Sequence, residues 1–559
     1  MRKRQHVPRS SVEPRKKCKG AKTWVCLSDD DFIATPLLPP GPASYAELSN
    51  WPADLLHRAC DANELAVARM RELFRHGLDC NSDYSGYDCP RESLTQLFRA
   101  FTHADFFAGQ HAPSLRFTRS CDNADLPLSA LLHWAQVVDG GDSCVNLDIE
   151  GCLTDDAKHH LDKMVVDALN VSITTLEKKT NLAEAYMMSQ TWLIHNRSDV
   201  FKPDLLSPCV CHGRECPLAQ ERDDSDRRLV LNTAGTTCVG WSSVGKRGGF
   251  SDGSERTHAV WMTQRIVCAE LGREHGFFQE CTRNYPVTEK LVEPLRQWFW
   301  VVHIRVCGTH IGYPSKRLRS LAFGGYEPEL VWCGPANPKE VQAEFDKLFS
   351  RTLVTTGDSF LIAPEETVTA VYGSLMNKRH NYLDSNAGVS FLGKGILRSI
   401  LTGAQYARLT DYEDNYRRTT GMEPESLIAD VEQNVGSPGD TSGPSFPSQL
   451  KHNTFYSYGK RRLCTGLEGM VANGWHIFED ENDKFSSALA PFLKTLSEPK
   501  LKSLSGNGMS LPPLCAWILY IALNTARREK PQPSQGVRSI EDEGEEQDEV
   551  DEGPKLHRG

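Results

Sequence analysis

Arg228-Leu-Val-Leu-Asn-Thr-Ala-Gly-Thr-Thr-Cys-Val-Gly-Trp-Ser-Ser243 is the stretch on which the fold turns. Leu229-Val230-Leu231 is a short apolar run bounded by polar residues, the pattern of a buried strand. The small and hydroxyl residues behind it form a loop that presents Cys238, with Ser242 four residues on. In an open α/β sheet, chemistry collects at the carboxyl ends of the strands. A thiol there can serve as a nucleophile where its surroundings favour the thiolate. A single cysteine can equally be a small packed hydrophobe, so the flanking segments decide.

On the amino-terminal side, Leu115-Arg-Phe-Thr-Arg-Ser-Cys-Asp122 and Cys144-Val-Asn-Leu-Asp-Ile149 read as strands that deliver Asp122 and Asp148. An acid in that place can accept both hydroxyls of a ribose, or it can cap a helix or turn. Earlier still, Tyr84-Ser85-Gly86 makes a tight turn between a strand and a helix opened by Glu92 and Leu94. Backbone N–H groups at such a helix start can receive a polar ligand, although ordinary surface turns share this composition. A further helix runs from a cap at Asp61 to Gly77. Between Asp148 and Cys238, residues 152–226 hold two helices and then Pro208-Cys-Val-Cys-His-Gly-Arg-Glu-Cys-Pro217. Cys209, Cys211, His212 and Cys216 can offer four soft ligands to zinc. Their spacing is not that of a standard finger, and a cysteine-containing loop is the alternative.

On the carboxyl-terminal side, Lys246-Arg247-Gly248-Gly249 is basic and flexible, suited to lying along a phosphate backbone. His258 to Glu270 reads as a helix. Gly276-Phe-Phe-Gln-Glu-Cys281 reads as a strand bringing Glu280 to the same sheet edge, and Trp298 to Val306 as another strand. Arg317 and Arg319, two apart on an extended segment, are expected to point the same way, as suits an anion or a solvated strand edge. Residues 326–460 lose this rhythm. Short helices, strand-like alternation from Asp358 to Val371 and a Gly/Ser/Pro linker at 436–448 mark a second domain with a flexible exit. The rhythm resumes at Arg461, and a last helix spans Leu511 to Thr525.

A chain of 559 residues can build two or three domains, and 39% apolar with 24% charged residues is ordinary for a globular protein. No apolar run of the length a membrane helix needs stands out, so no membrane partner is expected. Eighteen cysteines without a secretory signal argue for reduced thiols and against secretion. The net charge of −10 conceals segregation: residues 1–22 carry nine Lys or Arg, and residues 541–552 carry nine Asp or Glu. The basic arm suits nuclear import or phosphate contact, or the two tails only aid solubility. Both ends, 1–44 and 531–559, are expected to be disordered.

Taken in order, these landmarks resemble the cytosine-5 DNA methyltransferases. The family's Phe-x-Gly-x-Gly turn, which holds S-adenosylmethionine, is similar to Tyr84-Ser-Gly-Tyr-Asp88. Asp122 and Asp148 stand where its ribose-binding and adenine-contacting acids belong. The Pro-Cys-x-x-x-Ser nucleophile loop is similar to Thr237-Cys-Val-Gly-Trp-Ser242, and the Glu-Asn-Val strand end to Glu280-Cys-Thr282. The Gly-Val-Pro-Gln-x-Arg-x-Arg segment resembles Gly312-Tyr-Pro-Ser-Lys-Arg-Leu-Arg319. Arg461 to Glu468 resembles Arg-x-Leu-Thr-x-x-Glu loosely. The closing Gly-Asn-Ser-x-x-x-Pro, which returns to the cofactor, resembles Gly506-Asn-Gly-Met-Ser-Leu-Pro512, with Asn507 at the cofactor position. Ser82, Asp88, Thr237, Cys281 and Ser315 depart from the family's acid, glycine, proline, asparagine and glutamine.

The resemblance implies a Rossmann-like α/β fold with a mostly parallel sheet, the S-adenosylmethionine-dependent methyltransferase fold, plus a smaller target-recognition domain. The catalytic domain would span 45–325, with an insertion at 152–226, and close with 461–530. The recognition domain would span 326–460 and include Lys378, Arg379 and His380. It also implies methyl transfer to carbon 5 of cytosine in DNA, or alternatively in transfer RNA, with the base flipped out of the duplex. A methyltransferase-fold protein that binds nucleic acid without catalysis is the reading of another class. Cys238 would add to carbon 6 as a thiolate favoured by nearby cations. Glu280 would act as a protonated acid toward ring nitrogen 3, and Arg317 and Arg319 would hold the base carbonyl and a phosphate. Ser242, Lys246 and Arg247 would line the nucleic acid.

Overall fold

Among the described residues, nine strands form one sheet: β1 (Leu78–Asp83), β2 (Leu115–Cys121), β3 (Cys144–Asn146), β4 (Leu206–Cys209), β5 (Arg214–Pro217), β6 (Leu229–Gly235), β7 (Gly276–Thr282), β8 (Phe299–Val306) and β9 (Arg319–Tyr326). The computed structural model describes residues 38–109, 112–222, 226–242, 248–377, 394–437, 439–478 and 484–528. The strands lie in the order β5-β4-β3-β2-β1-β6-β7-β9-β8. The run from β3 through β7 is parallel, β9 is antiparallel to both β7 and β8, and β4 and β5 extend the other edge antiparallel. The chain begins at β1, works outward to β3, and then crosses back to β6 on the other side of β1. Strand order therefore reverses between β1 and β6, the place where doubly wound sheets bind their ligands. The Tyr84 turn and the Cys238 loop leave these two neighbouring strands at the same end.

Helices cover both faces. Trp51–Cys60, Glu64–Phe74, Cys89–His103 and Leu511–Leu523 pack with Leu78, Leu229, Leu231 and Phe278. Asp155–Asn170, Thr175–His195 and Ser254–Glu270 lie on the face of Ala234 and Phe277. Adjacent residues such as Phe277 and Phe278 serve opposite cores because strand side chains alternate. Every residue of Leu511–Leu523 is buried. The stretch Glu498–Leu523 is apolar and long enough to cross a membrane by composition, which the sequence reading overlooked, but 89% of its most apolar window is buried within the protein.

The central strand β1, Leu-Asp-Cys-Asn-Ser-Asp, is fully buried yet barely hydrophobic. Its alternate polar residues are partnered instead. Asp79 pairs with Arg116 and Arg228, and Asn81 accepts from the Thr118 hydroxyl. Asp83 meets Arg119 at 2.7 Å, Arg265 at 3.5 Å and the Asn232 amide at 2.8 Å. Burial alone would raise the Asp83 carboxyl, but Arg119 and Arg265 outweigh it and hold the group below the ordinary aspartate range. Its contribution to stability is thus present above the unfolded pKa of about 4 and is lost as the pH falls through the lower folded value. Replacing Asp83 with Asn leaves two buried guanidiniums underpaired. It should cost about 3–5 kcal/mol in urea unfolding at neutral pH.

Several boundaries differ from the sequence reading. Asn63, not Asp61, caps the helix Glu64–Phe74, its side chain accepting from Ala66 N at 2.9 Å. Asp358 to Val371 is not strand-like: it holds a short 3-10 turn and the start of the helix Glu365–Asn377. β10 (Leu330–Trp332) pairs with a final strand near the carboxyl end, and helix Pro338–Phe349 sends Phe345 against Trp517 and Tyr520 of the main core. Beyond it, β11 (Ile428–Asp430), β12 (Phe455–Ser457) and β13 (Arg462–Leu463) make a small sheet, and β14 (Thr525–Arg527) is the partner of β10. The described part of 436–448 is not a loose exit. Phe446 is fully buried and exchanges 2.8 Å backbone hydrogen bonds with Pro314 and Lys316, an apolar anchor that Gly/Ser/Pro composition hides.

Candidate active site

Cys238 is exposed and begins a tight turn, its carbonyl accepting from Trp241 N (3.0 Å) and Ser242 N (2.8 Å). The loop reaching it is tied to β7. Gly235 pairs with Glu280, the Thr236 hydroxyl donates to the Glu280 carbonyl at 3.4 Å, and Gln279 Nε2 donates to Thr236 Oγ1 at 2.5 Å. The buried Cys281 thiol donates to the Thr236 carbonyl at 3.8 Å. Arg319 opens β9 opposite Thr282, diagonal to Glu280, and its Nε lies 2.7 Å from Glu280 Oε1. Three neighbouring strand ends thus present a thiol, a carboxylate and a guanidinium. Glu280 was expected as a protonated acid. In this geometry its carboxyl lies against the Arg319 guanidinium in a largely buried pair.

Arg317 and Arg319 do not act alike. Ser315 bridges to Phe446, so the segment before β9 is held away from the strand, and Arg317 turns inward. Its guanidinium is buried and donates to the carbonyls of Gln449 (3.2 Å), Gly506 (3.2 Å) and Gly508. Burial, and next the positive charge of Arg319, push Arg317 down to about 10, against the pull of Glu280, Tyr87 and Cys238. Its two terminal nitrogens are committed to backbone while the buried Nε has no partner, so Arg317 braces the segment before β9 against the carboxyl-terminal segment.

Beside this cluster lies the turn after β1. Tyr84, Gly86 and Asp88 have φ of +49°, +57° and +65°. The position where the related turn carries a second glycine therefore demands a left-handed backbone, and Asp88 meets that demand better than most side chains. Its buried carboxyl accepts from the Ser120 hydroxyl at 3.0 Å. Ser85 is buried in hydrogen bonds to Ser82 Oγ (2.7 Å) and Cys121 N (3.0 Å). Asp122 accepts from Gly86 N (2.9 Å) and Ala124 N (3.0 Å). Burial raises its carboxyl, while those amides and the charge of Lys451 oppose the rise. Asp148 is exposed after β3 and accepts from Glu150 N at 2.9 Å.

The open side of Gly86, where an added Cβ would meet nothing within 4 Å, and two acids following β2 and β3 fit a nucleoside-bearing ligand such as S-adenosylmethionine. Asn507 is exposed at the end of its helix. The return contact is made by the next residues: Gly508 packs on Tyr87, and Met509 N donates to Cys89 Sγ at 3.2 Å. Lys451, Met509 and the Gln279–Thr236 bond escaped the sequence reading, since nothing local marks residues that act across tens or hundreds of positions. Lys246, Arg247, Lys378, Arg379 and His380 lie outside the described residues. In the cysteine cluster, Cys211 does not join Cys209, His212 and Cys216. It packs instead against the small core of Leu131, Ala135 and Val145, and Cys144 takes its place.

Strand order and the turn after β1 define a Rossmann-like α/β protein with a mostly parallel sheet. No family model and no curated protein matches the sequence. Among solved structures, the chain is similar to the Dnmt2 methyltransferase of S. pombe at 11% identity and a TM-score of 0.36, covering 79% of this chain and 98% of that one. It is similar to the methyltransferase EhMeth of Entamoeba histolytica at 10% and 0.36, covering 79% and 97%. A mutant of Spodoptera frugiperda DNMT2 follows at 10% and 0.34, covering 80% and 100%. At such distances these likenesses say nothing about chemistry.

Proposed function

We propose that this chain transfers a methyl group from S-adenosylmethionine to carbon 5 of cytosine in DNA, through a covalent adduct on Cys238. The observation that carries the reading is the exposed Cys238 loop, bonded onto the strand that bears the Glu280–Arg319 pair, next to the Gly86–Asp122 turn. Gly86, Asp122 and Asp148 would hold the methyl donor, which supplies an electrophilic carbon. The Cys238 sulfur would add to carbon 6 of the base and make carbon 5 enamine-like, dividing one hard step into easier ones. Glu280, in its protonated form, would donate to ring nitrogen 3 as charge builds on the ring. Arg319, freed from a full countercharge, would hold the base carbonyl. After methylation, loss of the proton on carbon 5 expels the thiolate.

Reaching such a pocket requires the base to leave the duplex, at a few kcal/mol. The test is transfer of a radiolabelled methyl group to duplex DNA and, separately, to transfer RNA. Label at carbon 5 of DNA cytosine is expected. Label on transfer RNA alone moves the proposal to that substrate, and label on neither, with S-adenosylmethionine bound, reduces the chain to a binding protein.

A further inference from the structure

Cys144 opens β3, and Cys209, His212 and Cys216 lie on the β4–β5 hairpin packed beside it. Their ligand atoms all fall within 4.8 Å of one another. The His212 Nδ1 is 3.5 Å from Cys144 Sγ, 3.4 Å from Cys209 Sγ and 3.4 Å from Cys216 Sγ. Hydrogen bonding does not explain this arrangement, because one ring nitrogen has one in-plane direction and serves one thiol. A central ion does. With Zn–S of about 2.3 Å and Zn–N of about 2.0 Å, a tetrahedron has N···S edges of about 3.5 Å.

The surroundings agree. The other ring nitrogen, Nε2, lies 3.0 Å from the Gly141 carbonyl. A proton donated there leaves the Nδ1 lone pair directed at the three sulfurs, the usual outer support of a metal-bound histidine. Val145 N donates to Cys209 Sγ at 3.4 Å, an amide bond suited to a thiolate. Gly213, at φ +63°, closes the knuckle between His212 and Cys216. Three sulfurs and one nitrogen in a closed tetrahedron suit zinc in a structural role, with no open position for catalysis.

We propose that Cys144, Cys209, His212 and Cys216 bind one structural zinc ion that clamps the hairpin of the 152–226 insertion to the edge of the main sheet. The clamp has a purpose there. β3 is three residues long and meets β4 in a single register pair, Asn146 with Cys209, supported by Val210 N to the Val145 carbonyl (2.7 Å) and Asn146 Nδ2 to the Pro208 carbonyl (2.7 Å). Asp148 follows two residues after β3, so the ion also steadies the strand end beside the candidate ligand turn.

Metal analysis of the full chain, purified without added chelator, should find about one zinc per molecule. Cys144→Ser and His212→Ala should each lose it, whereas Cys211→Ser should retain it. Should the serine variants fail to fold, cobalt exchanged into the wild-type protein gives an independent answer. The expected spectrum has the intense visible bands of tetrahedral cobalt and sulfur-to-metal charge transfer. Retention of zinc by Cys144→Ser with loss in Cys211→Ser would overturn the assignment. So would a wild-type protein that takes up neither zinc nor cobalt.

Discussion

Cys238→Ser is expected to lose methyl transfer by about a thousandfold or more in kcat, while keeping its affinity for nucleic acid. The size follows from chemistry: a serine hydroxyl at neutral pH is almost wholly protonated and adds to an aromatic ring far less readily than a thiolate. The specificity follows from position. Cys238 is exposed and its side chain is not part of a core cluster, so the substitution should move stability by no more than about 0.5 kcal/mol. Unchanged melting and DNA binding, with activity lost, therefore assign the defect to a missing nucleophile. Two other cysteines near the pocket, Cys281 and Cys89, are buried, and burial pushes both thiols upward, Cys89 to about 12. Neither is placed to substitute.

The second large effect concerns Glu280 and Arg319. Each single replacement by alanine should lower kcat about 100- to 1,000-fold, the usual result of removing one preorganised polar partner from a transition state. The double replacement should fall no further than the worse single one. Either change alone leaves a partly buried charge without its countercharge, 2.7 Å away in the native pair, and this misplaces whichever group remains. Additive losses in steady-state kinetics would instead mean that the two side chains work separately. Arg317→Ala should behave differently. Its bonds to the Gln449, Gly506 and Gly508 carbonyls predict a loss of stability along with activity.

How far the sequence could be read depended on the kind of signal. Leu229 to Leu231 announces a buried strand and Trp298 to Val306 an apolar one by hydropathy, and both strands form, the second largely half-buried. β1 carries no such signal, and only its place before the Tyr84 turn suggested a strand. The reason is that Asp79, Asn81 and Asp83 are stabilised by partners on other elements rather than by apolar burial. Cys238 follows the end of β6 by three residues and Glu280 lies two residues before the end of β7, and neighbouring parallel strands deliver their ends to one edge. What stayed hidden was long-range. Arg317 looked like a twin of Arg319 by spacing alone, since alternation holds only where the backbone is extended, and the bridge from Ser315 to Phe446 lies outside any local window. Cys211 likewise sits between true cluster members in sequence while its side chain belongs to an apolar core, and Cys144 enters from 65 residues before Cys209.

The most direct test uses DNA carrying 5-fluorocytosine, in which fluorine replaces the proton that must leave carbon 5. Incubated with the protein and S-adenosylmethionine, it should arrest the reaction as a covalent complex that survives denaturation. Mass spectrometry of the digested complex should then find the methylated base attached to the peptide containing Cys238. A base attached to a different residue, or methylation of ordinary cytosine without any trapped complex, would contradict the assignment of this thiol.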